Sequence, residues 1–128
     1  MKMMYCWRCS EELPMLDEKE FALVGALYDK AVRTIKEELF RLPPSDRERF
    51  VLEQYRPAID AYRSITGWTR SITPSDLPHH RISVHGPPCH RCGKPLRTPR
   101  AKRCVACGTP RTTFLGRHLQ RIYELLHS

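Results

Sequence analysis

The sequence is short of glycine, of long apolar runs and, in its second half, of acid. Gly occurs 6 times in 128 residues, against 11 Pro, so the loops are expected to be stiffened by proline. No glycine-rich phosphate loop or dinucleotide fingerprint is present, which removes the usual nucleotide-binding motifs. No apolar run reaches the roughly 18 residues that a membrane-spanning helix needs. The N-terminal MKMMYCWRCSEELP has no apolar stretch of signal-peptide length and no small-residue cleavage site. A cytoplasmic location without membrane contact is therefore expected. Residues 67–128 carry only two carboxylates, Asp76 and Glu124, so paired-carboxylate catalysis has little to work with there. Ser83 and His85 stand close in sequence but outside any nucleophile-elbow context. Nothing in these deficits points to an enzyme.

Charge is unevenly placed. Residues 1–66 hold 11 Lys+Arg against 12 Asp+Glu, or −1; residues 67–128 hold 11 against 2, or +9. All six His also lie in the second half. A basic half implies an anionic partner, either a nucleic acid or an acidic protein surface. Its cations between 89 and 121 are Arg91, Lys94, Arg97, Arg100, Lys102, Arg103, Arg111, Arg117 and Arg121. Lined along a rigid module they could track phosphates; equally, they could offset an anionic metal–thiolate centre. Only Phe114 and Tyr123 follow as aromatics, which weakens a single-strand stacking platform.

Cysteine is the strongest positive signal. All six fall in C-x2-C pairs: Cys6/Cys9, Cys89/Cys92 and Cys104/Cys107. Disulfides are rare in the cytosol, so such pairs there point to metal. Gly93 and Gly108 follow the second and third pairs, where a positive φ lets backbone N–H groups turn toward the sulfurs. Cys89, Cys92, Cys104 and Cys107 together make a closed tetrahedral thiolate site of zinc-ribbon type, with iron as the chemical alternative and free thiols as the plain one. A dication held by four thiolates carries −2 and brings the net charge from +8 nearer to about +6. The module has few apolar residues, Leu96 and Val105 among them, and is expected to need its metal to fold.

Cys6-Trp7-Arg8-Cys9 is followed by Ser10 instead of glycine. A second Zn²⁺ there needs two further ligands. His79, His80 and His85 are the candidates in type, with unligated thiols or a metal bridging two chains as alternatives. His79 and His80 cannot point the same way on a strand, so one can ligate while the other does not.

The rest reads mainly α. A helix is expected over 17–42, capped by Asp17 with Glu20 and carrying the stripe Phe21, Val24, Tyr28, Ala31, Ile35, Leu39 and Leu42. Gly25 inside it suggests a close approach. A second helix is expected from a Ser45/Glu48 capping box to Gly67, kinked or split at Pro57. The two should form an antiparallel hairpin. Residues 68–78 read as a loop, and 79–86, HHRISVHG, as a short strand. An amphipathic helix is expected over 114–127. The divisions are 1–78 for the N-terminal C-x2-C segment and hairpin, 79–109 for the zinc ribbon, and 110–128 for the C-terminal helix.

The run HHRISVHGPPCHRCGKPLRTPRAKRCVACG, 79–108, resembles the four-cysteine zinc-ribbon tail of certain small bacterial proteins, and GKPLRTPRAK is its most distinctive part. YCWRC and PMLDEKEFALV, within 5–24, resemble the start of the same proteins. That family is associated with polymorphic or Rhs-type toxin loci, where small proteins act as immunity factors. The resemblance covers about half of the chain and leaves out 110–128. Residue by residue it implies only zinc binding by Cys89, Cys92, Cys104 and Cys107. The expected function is therefore binding: an immunity-type toxin inhibitor that meets an acidic partner through Arg97, Arg100, Arg103 and Arg117, or alternatively a nucleic-acid-binding or regulatory zinc ribbon.

Overall fold

The chain opens with an antiparallel hairpin where only a bare C-x2-C segment is expected. In the computed structural model, which describes residues 1–111, 121, 122 and 124–127, strand β1 (Lys2–Cys6) pairs with β2 (Glu11–Met15), Cys6 opposite Glu11 and Lys2 opposite Met15. Cys6, Leu13 and Met15 turn inward, and Met4, Cys9, Trp68 and Ile82 pack on them. Lys, Met and Glu are weak strand formers, and the turn holds no Asn-Gly or Gly, so periodicity alone does not reveal this hairpin.

Helix α1 (Glu18–Glu38) begins as expected. Asp17 Oδ1 accepts from the Glu20 N–H at 2.8 Å, and the Asp17 N–H donates to Glu20 Oε1 at 3.0 Å. At Gly25 a Cβ would meet the Phe21 ring at 2.9 Å, so the close approach is that of the helix's own aromatic side chain. The last turn tightens into a 3-10 helix, Leu39–Arg41. Helix α2 (Pro44–Thr66) starts one residue earlier than the expected Ser45 cap. Pro43 is its N-cap, with no side-chain cap bond, and Pro44 lies in the first turn. Proline suits that turn because its fixed φ is already helical and its missing N–H is not needed there. The helix is not split at Pro57. That residue is exposed, so its ring lies on the solvent side of the helix. Gly67 ends the helix at φ 72°, its N–H donating to Arg63 O.

The helices run antiparallel. Arg47 lies over the Phe40 ring, Tyr28 packs on Tyr55, and the Tyr62 hydroxyl reaches Pro14 O, just ahead of α1, at 2.7 Å. Leu16, Val24, Ala58, Tyr62, Ile72 and Leu77 form the core between them. Among the described residues no helix is long and apolar enough to cross a membrane.

The strand expected over 79–86 is not formed. Pro74–His79 and Ile82–Val84 are 3-10 turns, and only Arg81 makes a parallel bridge, to Leu16. The alternation of Ile82 and Val84 misleads because local turn bonds win. A Thr73/Asp76 capping box starts the first turn within the segment 68–78 that reads as loop. The bridge still fixes the segment: Leu16 N–H donates to His80 O and Ile82 N–H to Leu16 O, both at 2.9 Å. Arg81 also forks onto Glu18.

The helix expected over 114–127 falls largely outside the described residues, as does Arg117; residues 121, 122 and 124–127 are helical and exposed. Tyr62→Phe should remove the hydroxyl bond that ties α2 to β2. It should lower unfolding free energy by about 1 kcal/mol, read from urea denaturation at fixed metal content.

Candidate metal centres

The same five-residue turn occurs three times. Ser10 N–H donates to Cys6 O at 2.8 Å, Gly93 N–H to Cys89 O at 2.9 Å and Gly108 N–H to Cys104 O at 2.8 Å. The donors have φ of 56°, 77° and 74° respectively. Each turn therefore folds the second cysteine back over the first, and glycine at two of the three closing positions avoids the left-handed penalty. Ser10 accepts that conformation without being glycine, so Cys6–Ser10 is the same knuckle despite its sequence. Each knuckle also sits at the tip of a hairpin. Cys6 opposes Glu11, while the Cys89 N–H donates to Lys94 O at 2.7 Å and the Cys104 N–H to Thr109 O at 2.9 Å.

Two knuckles face each other. The sulfurs of Cys89, Cys92, Cys104 and Cys107 lie within 4.8 Å of one another. Cys89 Sγ is 3.7 Å from Cys107 Sγ, and Cys92 Sγ is 3.6 Å from Cys104 Sγ. Four sulfurs at ~2.3 Å around one ion give tetrahedral edges of about 3.8 Å. The cysteines are not disulfide-bonded. Cys89 and Cys104 are buried, with Leu96 and Ala101 beside them, while Cys92 and Cys107 are exposed. Four soft donors closing on one point could hold a metal ion with no position left open, and sulfur donors suit zinc or iron. Cys107 Sγ lies 3.1 Å from the Thr109 hydroxyl, and side-chain and backbone hydrogen bonding with Thr109 holds the thiol down to about 6.

The module is pinned from outside. Gly86 N–H donates to Leu96 O at 2.7 Å and Leu96 N–H to Pro87 O at 2.8 Å. A Cβ on Gly86 would lie 2.3 Å from Thr98 O, so the glycine permits that pairing. The Trp7 indole donates to Pro95 O at 2.8 Å, and Lys94 Nζ lies over the Tyr5 ring. Arg111 donates to Pro99 O and Ala101 O, and Arg103 to Gly108 O.

The third knuckle meets the helical side of the fold. Cys6, Cys9 and His80 present one donor atom each, within 4.8 Å of one another, and His80 Nε2 is 3.4 Å from Cys9 Sγ. Cys6 and His80 are buried. Burial holds the imidazole below its ordinary pKa and so in the neutral form that ligates. Burial and the neighbouring Cys6 push the Cys9 thiol up to about 12, so a cation taken up there must displace a proton. His79 is left out of this group; its carbonyl pairs with His85 Nε2 at 2.9 Å.

Asp76 lies beside the group, its Oδ1 3.9 Å from Cys9 Sγ. The sequence carries a signal for it, the Thr73-x-x-Asp76 capping pattern. Arg97, Arg100 and Arg103 are exposed. Compared with known protein families, curated proteins and solved structures, the chain matches none, so the resemblance of 79–108 rests on its motif.

Two outcomes are expected. Cys104→Ser should lose the metal of the ribbon, measured by elemental analysis, and open residues 87–109 to proteolysis; intact protein free of zinc and iron would refute this centre. Ser10→Gly should relieve the left-handed strain and raise stability by roughly 0.5–1 kcal/mol, seen as a higher denaturation midpoint at unchanged metal content.

Proposed function

We propose that this chain is a zinc-loaded, non-enzymatic binding protein that neutralises a protein partner, in the first instance a cognate bacterial toxin. The observation that carries the binding surface is the cation set of the ribbon. Arg91, Arg97, Arg100 and Lys102 are exposed, and among the described residues none forms an ion pair with a carboxylate. They stand on a module clamped at both knuckles, so little order remains to be lost on binding. Arginine combines charge, planarity and stacking, which suits it to interface anchors. The toxin as partner follows from the resemblance of 79–108 to immunity-type proteins.

Arg103 is best kept apart from the other candidates. Its guanidinium donates to Gly108 O at 3.1 Å, so it also braces the second knuckle. Nucleic acid is the second reading, and the same unpaired cations favour it. Against base stacking, Tyr5 and Trp7 pack edge-to-face at 4.9 Å with Lys94 over the Tyr5 ring, leaving those faces engaged.

Arg97→Glu with Arg100→Glu should abolish protection of toxin-expressing cells and co-purification with the toxin, while bound zinc stays constant. Retained protection would overturn the assignment of the surface. The nucleic-acid reading instead predicts DNA or RNA binding that weakens steeply with salt and falls in the same variant, without any rescue of a toxin-expressing cell.

A further inference from the structure

Cys6, Cys9 and His80 supply three donors, and a closed tetrahedral centre takes four. We infer that Asp76 is the fourth, so that Cys6, Cys9, Asp76 and His80 form a second, closed zinc centre tying the N-terminal hairpin to the 3-10 turn Pro74–His79. The inference shares with the ribbon the reading that these knuckles hold zinc, and it is independent of what the basic surface binds.

The distances from Cys9 fit it, while Asp76 lies outside the Cys6, Cys9 and His80 group whose donors fall within 4.8 Å of one another, so its carboxylate must swing inward as the ion binds. With sulfur at ~2.3 Å and oxygen or nitrogen at ~2.0 Å from one ion, the tetrahedral edges are about 3.5 Å. The structure has 3.4 Å from Cys9 Sγ to His80 Nε2 and 3.9 Å from Cys9 Sγ to Asp76 Oδ1. Asp76 is also oriented for the task. Its Oδ2 accepts from the Thr73 N–H at 2.9 Å and the Thr73 hydroxyl at 2.8 Å. Those two bonds fix the carboxylate plane and leave Oδ1 toward Cys9 Sγ, as outer hydrogen bonds do for a ligating carboxylate.

Spacing and charge agree. The knuckle gives a C-x2-C pair and the 3-10 turn gives Asp76-x3-His80, and two short chelating pairs from separate segments are the usual build of a structural zinc site. The Leu16–Arg81 bridge holds the second pair against the end of β2. Asp76 forms no direct ion pair with a Lys or Arg among the described residues; Arg8 acts on it only from beyond contact, so a divalent cation would be its one direct counter-charge. A set of two sulfurs, one nitrogen and one oxygen suits zinc, which accepts all three, better than an iron–sulfur cluster or Cu(I).

Cobalt(II) loading of the full-length chain tests this. The expected result is two ions per chain, one of which is lost in Cys9→Ser, with thiolate charge-transfer intensity corresponding to six sulfurs. Asp76→Cys should keep both ions and raise that intensity to seven sulfurs, a gain that loss of a helix cap cannot produce. Asp76→Ala should weaken the second ion by more than roughly 100-fold in chelator competition, and Thr73→Ala, which only unsettles the carboxylate, by about 10-fold. A single ion per chain that Cys9→Ser leaves in place overturns the second centre. Intensity unchanged in Asp76→Cys, with second-ion affinity in Asp76→Ala close to that of the unaltered chain, overturns Asp76 as its ligand. Loss of the ribbon's ion is read separately in Cys104→Ser, so failure of one centre is not mistaken for failure of the other.

Discussion

A left-handed residue after each second cysteine is the constraint on which the rest of this structure depends. At Ser10, Gly93 and Gly108 the chain takes a positive φ and returns an amide to the carbonyl of the first cysteine. That turn points two sulfurs to the same side within five residues. Without it, C-x2-C is only a spacing; with it, each pair is a preformed chelate. Apolar burial cannot replace this in the ribbon, whose buried cluster is Cys89, Leu96 and Cys104 with Ala101 against it. A core that small supplies too little burial to hold two hairpins together. Gathering four thiols without a cation leaves nothing to balance them as they ionise; an ion shared by the four sulfurs would supply the cohesion that the small core lacks.

The helical part is ordered differently. There α1 and α2 bury Val24, Ala58 and Tyr62 against Leu16, Ile72 and Leu77, and conventional capping fixes the ends. The two regimes meet at residues 80–82, where His80 and Ile82 hydrogen-bond Leu16 on either side of Arg81. This junction explains why residues distant in sequence converge. The hairpin of helices brings the chain back to its start, and the single parallel bridge then sets His80 under the N-terminal knuckle. A second contact, from the Trp7 indole to Pro95 O, joins that same knuckle to the ribbon. The N-terminal hairpin thus touches both regimes.

Legibility in the sequence followed how local each cause was. The Asp17/Glu20 box, the Gly67 stop and the Cys89/Cys92/Cys104/Cys107 set are decided within a few residues, and all are readable. So is the antiparallel helix pair, from its apolar stripes and short Pro-Pro joint. The start of α2 was displaced because proline in the first turn competes with a serine cap, a choice between two valid signals. The strand reading of 79–86 failed because alternation of Ile82 and Val84 describes a face, while pairing needs a neighbour, and only Leu16 is available. The β1–β2 hairpin was hidden by weak strand formers. Ser10 was hidden by its identity, since nothing in a serine announces a positive φ. Of the three histidine candidates, His80 is selected by the backbone pairing with Leu16 that sets it under the knuckle, a tertiary fact.

The basic surface gains its meaning from this frame. Four thiolates around a dication leave two negative charges in the ribbon, and nearby cations offset them at modest range. Arg103 and Arg111 are already committed to carbonyls of the ribbon itself, and Lys94 to the Tyr5 ring. Those three cations serve the fold. Arg97 and Arg100 lie on the excursion between the knuckles, exposed and, among the described residues, without a carboxylate in ion-pair contact. Charges that merely balanced the centre would gain by lying close over the sulfurs, as backbone amides do at the knuckles. Held out on a loop of the module that the Trp7 indole joins to the N-terminal hairpin, these two cations supply what the proposed binding of an anionic partner requires.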